Sequence, residues 1–252
     1  MDADQYYLFI KIWIAFGIIL FPVLLSITVP YGRHSRKDWG PMIRNRLGWI
    51  IMELPALVVF ILFFFLGPNK VTFVSFIFFL LYTAHYSNRA LIFPLRTHTS
   101  KKLMPVIIAI FAIFFNLING FINGYYFGTV SGGYDINWLY DIRFLAGGFL
   151  FIAGMVINVQ SDNVLLALRQ SETNGYSIPT GGLFRYISCP NFFGEMLEWT
   201  GFAIMTWSPA ALAFAIWSII NLVPRALDHH RWYREKFSDY PVERKAVIPF
   251  LV

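Results

Sequence analysis

Long apolar runs broken by short polar connectors pattern the whole chain. Crossing the hydrocarbon core of a bilayer takes about 20 mostly apolar residues in a helix. Such runs fall at about 6–29, 48–66, 71–92, 104–122, 142–161, 192–207 and 209–226. The sixth is short and carries two glutamates, Glu195 and Glu198. Gly67-Pro68 and Ser208-Pro209 mark tight turns between the second and third runs and between the sixth and seventh. With no internal repeat or low-complexity linker, one domain over residues 1–252 is expected. The fold class is therefore all-α integral membrane, with seven transmembrane helices. Met1 to Gln5 is acidic and lacks the positive start of a signal peptide, so the first run reads as a retained helix.

Charge placement orients the bundle. Cytosolic connectors of membrane proteins are enriched in Lys and Arg. Only three of the 20 basic residues, Lys11, Lys70 and Arg143, fall on one side of the seven-helix scheme. Arg33, Arg36, Lys37, Arg44, Arg46, Arg89, Arg96, Lys101, Lys102, Arg169, Arg185 and the basic tail fall on the other. The N-terminus is expected outside and the C-terminus in the cytosol.

Composition agrees: 57% of the residues are hydrophobic and 13% charged, against roughly 25% charged in soluble domains. Most of the 27 phenylalanines then face lipid or pack between helices. The net charge of +6 is accounted for by the connectors and calls for no nucleic-acid partner. A single cysteine, Cys189, excludes an internal disulfide and a cysteine-based metal cluster. No metal is expected.

Ionisable groups inside spans are costly unless paired or wetted, and they tend to mark function. Glu53 lies about 6 Å and Tyr86 about 9 Å inside the cytosolic ends of spans two and three, from the rise per helical residue. A tight outside turn makes those spans antiparallel neighbours, so the two side chains are placed to touch. A phenol oriented by a carboxyl group can polarise a substrate carbonyl; the plainer reading is a structural hydrogen bond. His85 points to another helix face and reads as structural or mouth-lining.

Three helical stripes add to this. Asn158 and Asp162 are four residues apart, and Arg169 extends the stripe if the helix continues. Asn191, Glu195 and Glu198 share a second face, and Arg225, His229 and Tyr233 recur every four residues. Singly, each reads as boundary residues that cap or snorkel. Together they offer donors, acceptors and cations suited to a ligand with ribose hydroxyls and phosphates. No G-x-G-x-x-G, Walker A or H-E-x-x-H motif is present.

Several separated segments resemble the steroid 5α-reductase family. They are N-V-Q-S-D (158–162), I-P-T-G-G-L-F (178–184), N-F-F-G-E-M-L-E-W (191–199) and R-K-A-V-I-P-F (244–250). Upstream, Y-G-R-H (31–34), E-L-P (53–55) and H-Y-S-N-R (85–89) agree in order and spacing. The resemblance implies NADPH-dependent reduction of a Δ4-3-keto steroid, with hydride delivered to C5 and a proton to C4. It implies that Tyr86, supported by Glu53, bonds the 3-keto oxygen. Asn158, Asp162, Arg169, Asn191, Glu195, Arg225, His229 and Tyr233 match cofactor positions, and Tyr31 and Arg33 a segment closing over the cofactor. Trp49 matches a steroid-lining position. Met52 stands where animal enzymes of the family have a glutamine, whose donor a thioether cannot replace. Arg33 and Arg36 favour NADPH over NADH, because guanidinium groups suit a 2′-phosphate.

The expected partners are a lipophilic steroid or another enone from the bilayer, and membrane lipids, with the chain a monomer. A bacterial homologue in the inner membrane is expected, or the endoplasmic reticulum membrane if the source is eukaryotic. The competing enzyme reading is an S-adenosylmethionine-dependent methyltransferase of the isoprenylcysteine type. A receptor, light sensor or transporter is disfavoured, since the last span lacks a Schiff-base lysine and the polar groups gather at one leaflet.

Overall fold

The structure, a computed structural model, describes residues 1–97, 102–171 and 176–252. Lys101, one of the cations that orient the chain, lies outside them. The helices are α1 (Ala3–Ser26), α2 (Asn45–Leu66), α3 (Phe73–Ser87), the short α4 (Phe93–Arg96), α5 (Val106–Tyr125), α6 (Ile142–Ser171), α7 (Pro190–Thr206) and α8 (Pro209–Lys236). A π-helical turn over Asn88–Ile92 joins α3 to α4, and another over Tyr126–Val130 extends α5. Among the described residues, α1, α2, α5 with its π turn, α6 and α8 are long and apolar enough to cross a bilayer. The other two expected runs form helices that fall short of about 20 residues: α3 has 15 before its π turn and α7 has 17.

The helix starts follow local chemistry. Thr72 caps α3, its hydroxyl accepting from Ser75 N at 3.2 Å while Ser75 Oγ accepts from Thr72 N at 2.9 Å. Ser208 caps α8, with Pro209 at the first helical position. The ends are less local. α6 and α8 run to Ser171 and Lys236, beyond the 161 and 226 expected from hydropathy. Hydropathy registers where lipid stops, whereas backbone hydrogen bonding continues into water.

Two helix pairs are locked backbone to backbone by glycines. Gly120, Gly124 and Gly128 recur every four residues against α2. A Cβ on Gly124 would lie 2.6 Å from the Phe60 carbonyl oxygen, and one on Gly120 2.8 Å from that of Ala56. On α6, a Cβ at Gly154 would come within 2.4 Å of Glu198 N, and Gly194 of α7 returns the contact at 2.6 Å from Asn158 N. Without a hydrophobic drive between helices in lipid, small residues earn close packing through dispersion.

Between the pairs lies an aromatic core from α2, α3, α7 and α8, built around Phe60, Phe78, Tyr82, Tyr86, Trp199, Phe202 and Phe214. Phe60 stacks on Tyr82 at 3.8 Å between centroids, and Trp199 packs on Phe214 at 4.2 Å. α1 leans on α8 through Trp13 and Trp217, whose rings stack at 4.5 Å. A two-stranded antiparallel ribbon, β1 (Met42–Arg44) with β2 (Leu103–Pro105), ties the entries of α2 and α5 together. The tail forms a parallel bridge beside the start of α7, with Ser188 N donating to Lys245 O at 2.8 Å and Cys189 N to Ala246 O at 3.0 Å. The R-K-A-V-I-P-F segment therefore buttresses the loop ahead of α7.

Candidate active site

A cleft opens at the end of the bundle where the connectors after α1, before α5 and before α7 meet the exit of α8. It has about 1030 Å³ of free space, mouth included. Tyr31, Arg33, Trp49, Asp162, Arg169, Asn191, His229 and Tyr233 all line it, as do Arg89, Lys102, Tyr176, Ser188 and Cys189. Eight of the residues singled out from sequence thus converge on one cavity, contributed by five separate parts of the chain.

The outer wall is a layered cation–aromatic arrangement. The Arg33 guanidinium lies over Tyr233 at 4.5 Å and Trp232 at 4.7 Å, and its Nη2 donates to the Tyr233 hydroxyl at 3.2 Å. Lys102 Nζ donates to the Tyr176 hydroxyl at 3.1 Å. His34 Nε2 meets His229 Nδ1 at 3.0 Å, with the rings 5.1 Å apart and nearly parallel. Burial and the neighbouring Arg33 charge hold the His34 imidazole below its ordinary value, with Asp228 opposing them. Arg33 Nη1 is buried with no hydrogen-bond partner, an unspent donor at the cleft.

The inner wall is organised by Arg89, which along the chain is a basic residue near a span end. Its guanidinium reaches Asp162 Oδ2 and Glu195 Oε2, each at 3.5 Å, and lies over Trp49 at 5.0 Å and Phe93 at 5.1 Å. Trp49 Nε1 donates to the Arg89 carbonyl at 3.1 Å, and Asn191 Nδ2 donates to Asp162 Oδ1 at 3.1 Å. The H-Y-S-N-R segment carried this signal, since an arginine three residues after a buried tyrosine stays on that helix face. His85 proves structural in its contacts: Nδ1 meets Glu198 Oε1 at 2.8 Å, both buried.

Four candidate residues stand behind the cleft. Asn158 Nδ2 donates to the Asn191 carbonyl at 2.9 Å and so holds α6 against α7. Glu195 is engaged by Arg89. The Arg225 guanidinium lies 4.6 Å over the Tyr31 ring, with Nε buried and unpartnered. Met52 packs with Met104, Ile108 and Ala109 between α2 and α5, outside the cleft. An unbranched thioether fills that gap well, and Trp49 packs against the same cluster.

Glu53 and Tyr86 occupy adjacent helices as expected, yet no hydrogen bond joins them. Each is instead bonded by an amide of α5. Asn116 Nδ2 donates to Glu53 Oε2 at 3.3 Å and to the Met52 carbonyl at 2.6 Å, and Asn119 Nδ2 donates to the Tyr86 hydroxyl at 2.8 Å. The expectation of contact treated spans two and three as an isolated pair. The glycine stripe instead sets α5 hard against α2, which brings its polar face alongside the two groups. Neither Glu53 nor Tyr86 is among the residues lining the cleft, whereas Arg89 is.

Comparison with known proteins agrees with this arrangement. The family model described as 3-oxo-5-alpha-steroid 4-dehydrogenase matches residues 102–252, from β2 through α8. A steroid 5-alpha-reductase (DET2) of Gossypium hirsutum is 42% identical, covering 100% of both chains. The chain belongs to the steroid 5α-reductase family. A 3-oxo-5-alpha-steroid 4-dehydrogenase 1 of Bos taurus is 38% identical over 94% of this chain and 93% of its own, and the Homo sapiens enzyme of the same name 37% over 88% and 85%. The family model begins after α4, so Glu53, Tyr86 and Arg89 lie outside it, but the relatives run through all three. Membership of the reductase family removes the methyltransferase reading. The relatives are plant and mammalian, which lends no support to the expected bacterial source.

Proposed function

We propose that this reductase transfers a hydride from NADPH to C5 of a Δ4-3-keto steroid, with a proton added at C4, giving the 5α-dihydro product. The observation that carries the reading is the convergence of eight expected residues on one cleft. Its inner wall holds Arg89, three residues along the chain from Tyr86.

The residues present fit a dinucleotide phosphate. Arg33, Lys102 and Arg169 supply positive charge for phosphates, and Arg33 Nη1 has a hydrogen bond left to give. Asn191 and Asp162 offer an amide and a carboxylate to ribose and carboxamide groups, while Tyr31, His229 and Tyr233 form flat walls. Asn158, Glu195 and Arg225 hold these groups in place from behind. When bound, NADPH supplies the hydride.

The chain's own part is polarisation and exclusion of water. The Tyr86 hydroxyl donates to the 3-keto oxygen, which leaves the β-carbon electron-poor for hydride and stabilises the enolate charge that grows on that oxygen. Glu53, tied to the same α5 face, sets the polarity around that hydroxyl. The aromatic core from Phe60 to Phe214 keeps the reacting end dry, which strengthens these hydrogen bonds.

In the membrane, α3 with its π turn and α7 make up the remaining two of seven crossings, with the N-terminus outside and the cleft open to the cytosol. The positive-inside count supports this orientation. Given eukaryotic relatives, the endoplasmic reticulum is the membrane proposed, and the working unit is a monomer. Product analysis of purified protein with NADPH and progesterone tests the function: a 5α-dihydro product is expected. NADPH binding without any product would transfer the reading to another lipophilic enone.

A further inference from the structure

The α5 helix carries three buried asparagines, Asn116, Asn119 and Asn123, spaced three and four so that they share one face. Amides buried in a membrane bundle are costly unless satisfied. One ordinary explanation is polar adhesive between helices, and Asn116 fits it through its bond to the Met52 carbonyl. Asn119 differs, because its amide nitrogen goes to two phenols, Tyr86 at 2.8 Å and Tyr82 at 3.2 Å.

The direction of these bonds follows from the backbone. Asn123 Nδ2 lies 3.0 Å from the Asn119 carbonyl oxygen and 3.0 Å from Asn119 Oδ1. A backbone carbonyl only accepts, so the Asn123 group facing it is the NH2. The side-chain atom of Asn119 that meets the same NH2 is therefore its oxygen, which turns its own NH2 toward the tyrosines. One backbone oxygen thus sets the polarity of the whole ladder.

A consequence falls on Tyr86. A phenol oxygen has two favoured in-plane directions, one for its proton and one for an acceptor lone pair. With the Asn119 NH2 occupying the acceptor side, the Tyr86 proton is turned away from α5, toward the Tyr82 hydroxyl until a substrate carbonyl takes its place. The bond also offsets negative charge that grows on the phenol oxygen as its proton is shared, since linked hydrogen bonds polarise one another.

We propose that Asn119, oriented by Asn123, is a positioning residue for the reduction: it fixes the Tyr86 hydroxyl as a donor aimed at the substrate carbonyl. This rests on the assignment of Tyr86 as the carbonyl donor, and the test separates the two claims. The full chain is prepared as Asn119→Leu, Tyr86→Phe and the double variant, and kcat, KM for progesterone and NADPH affinity by nucleotide fluorescence are measured. Donors aimed at a reacting oxygen contribute about 100-fold or more to kcat, so Tyr86→Phe is expected to lose about that much. Losing one supporting hydrogen bond is expected to cost about tenfold in kcat for Asn119→Leu, with KM and NADPH affinity nearly unchanged. In the Tyr86→Phe background, Asn119→Leu is expected to cost nothing further.

Multiplying losses in the double variant, or an unchanged kcat in Asn119→Leu, would overturn the role of Asn119. An unchanged kcat in Tyr86→Phe would instead remove the assignment beneath it. If Asn119→Leu loses NADPH binding, Asn123→Leu is read in the same way, since it frees the Asn119 amide without touching either tyrosine. A smaller kcat loss that vanishes in Tyr86→Phe supports the proposal, and loss of NADPH binding there too would make the ladder structural and end it.

Discussion

Arg89 shows how much one residue's meaning depends on neighbours remote in sequence. Counted along the chain, it is a basic residue near a membrane boundary. In the structure it joins Asp162 of α6 to Glu195 of α7 and is roofed by Trp49 and Phe93. Removing one partner from a buried charged group costs about 3–5 kcal/mol, because the opposite charge is left stranded. Arg89→Met is therefore expected to destabilise the chain by about that amount, read as a lower denaturation midpoint in micelles. Adding Asp162→Asn and Glu195→Gln to Arg89→Met should recover part of the loss. No recovery would mean that the guanidinium matters for packing on Trp49 and Phe93, not for charge.

Among the elements, α5 is where reading and structure differ most usefully. Hydropathy made it one more lipid-crossing helix, and Asn116, Asn119 and Asn123 were not singled out. Its Gly120, Gly124 and Gly128 stripe has the spacing of a helix-packing face, which was a signal available in the letters alone. That stripe presses α5 onto α2 and delivers the asparagines to Glu53 and Tyr86. Gly124→Leu would drive its side chain into the Phe60 carbonyl, 2.6 Å from the added Cβ. Overpacking typically costs about 1–3 kcal/mol, and with backbone on the far side the upper end is expected, as a lower melting temperature. Turnover should fall further than stability does, because the α5 amides move away from Tyr86. An activity loss no larger than the folded fraction predicts would show that α5 does not tune the site.

Across the whole molecule, the loop after α1 docks onto the exit of α8 through Arg33 and His34, closing the outer side of the cleft. His34 is held below its ordinary value of 6.5 by burial first and by Arg33 second. The docked loop thus favours the neutral ring. Its contribution to docking is full above that ordinary value and weakens as pH falls below it, since the undocked loop binds the proton more readily. Hydrogen-exchange protection over residues 27–41, taken relative to the intrinsic rate at each pH, is expected to fall between about pH 7.5 and about 5.5, the range in which histidine titrates. His34→Gln should flatten that dependence; an equally steep profile in this variant would place the switch on another group.

The sequence by itself determined the helical membrane class, the seven apolar runs, the clustering of basic connectors at one end, and the family. These are properties of composition and one-dimensional order, because lipid selects apolar length and motifs sit in contiguous letters. Asp162, Arg169, Asn191, His229 and Tyr233 of the cleft were legible from helical spacing, which puts them on polar faces, whereas Tyr31, Arg33 and Trp49 came only with the family resemblance. Only the tertiary structure decided what those faces meet. It set α5 amides on Glu53 and on Tyr86, gave Arg89 its two carboxylates, and packed Met52 beside Met104. Each of these depends on which helices lie side by side and at what distance. Glycine-scale close packing decides that in three dimensions, and hydropathy along the chain carries no record of it.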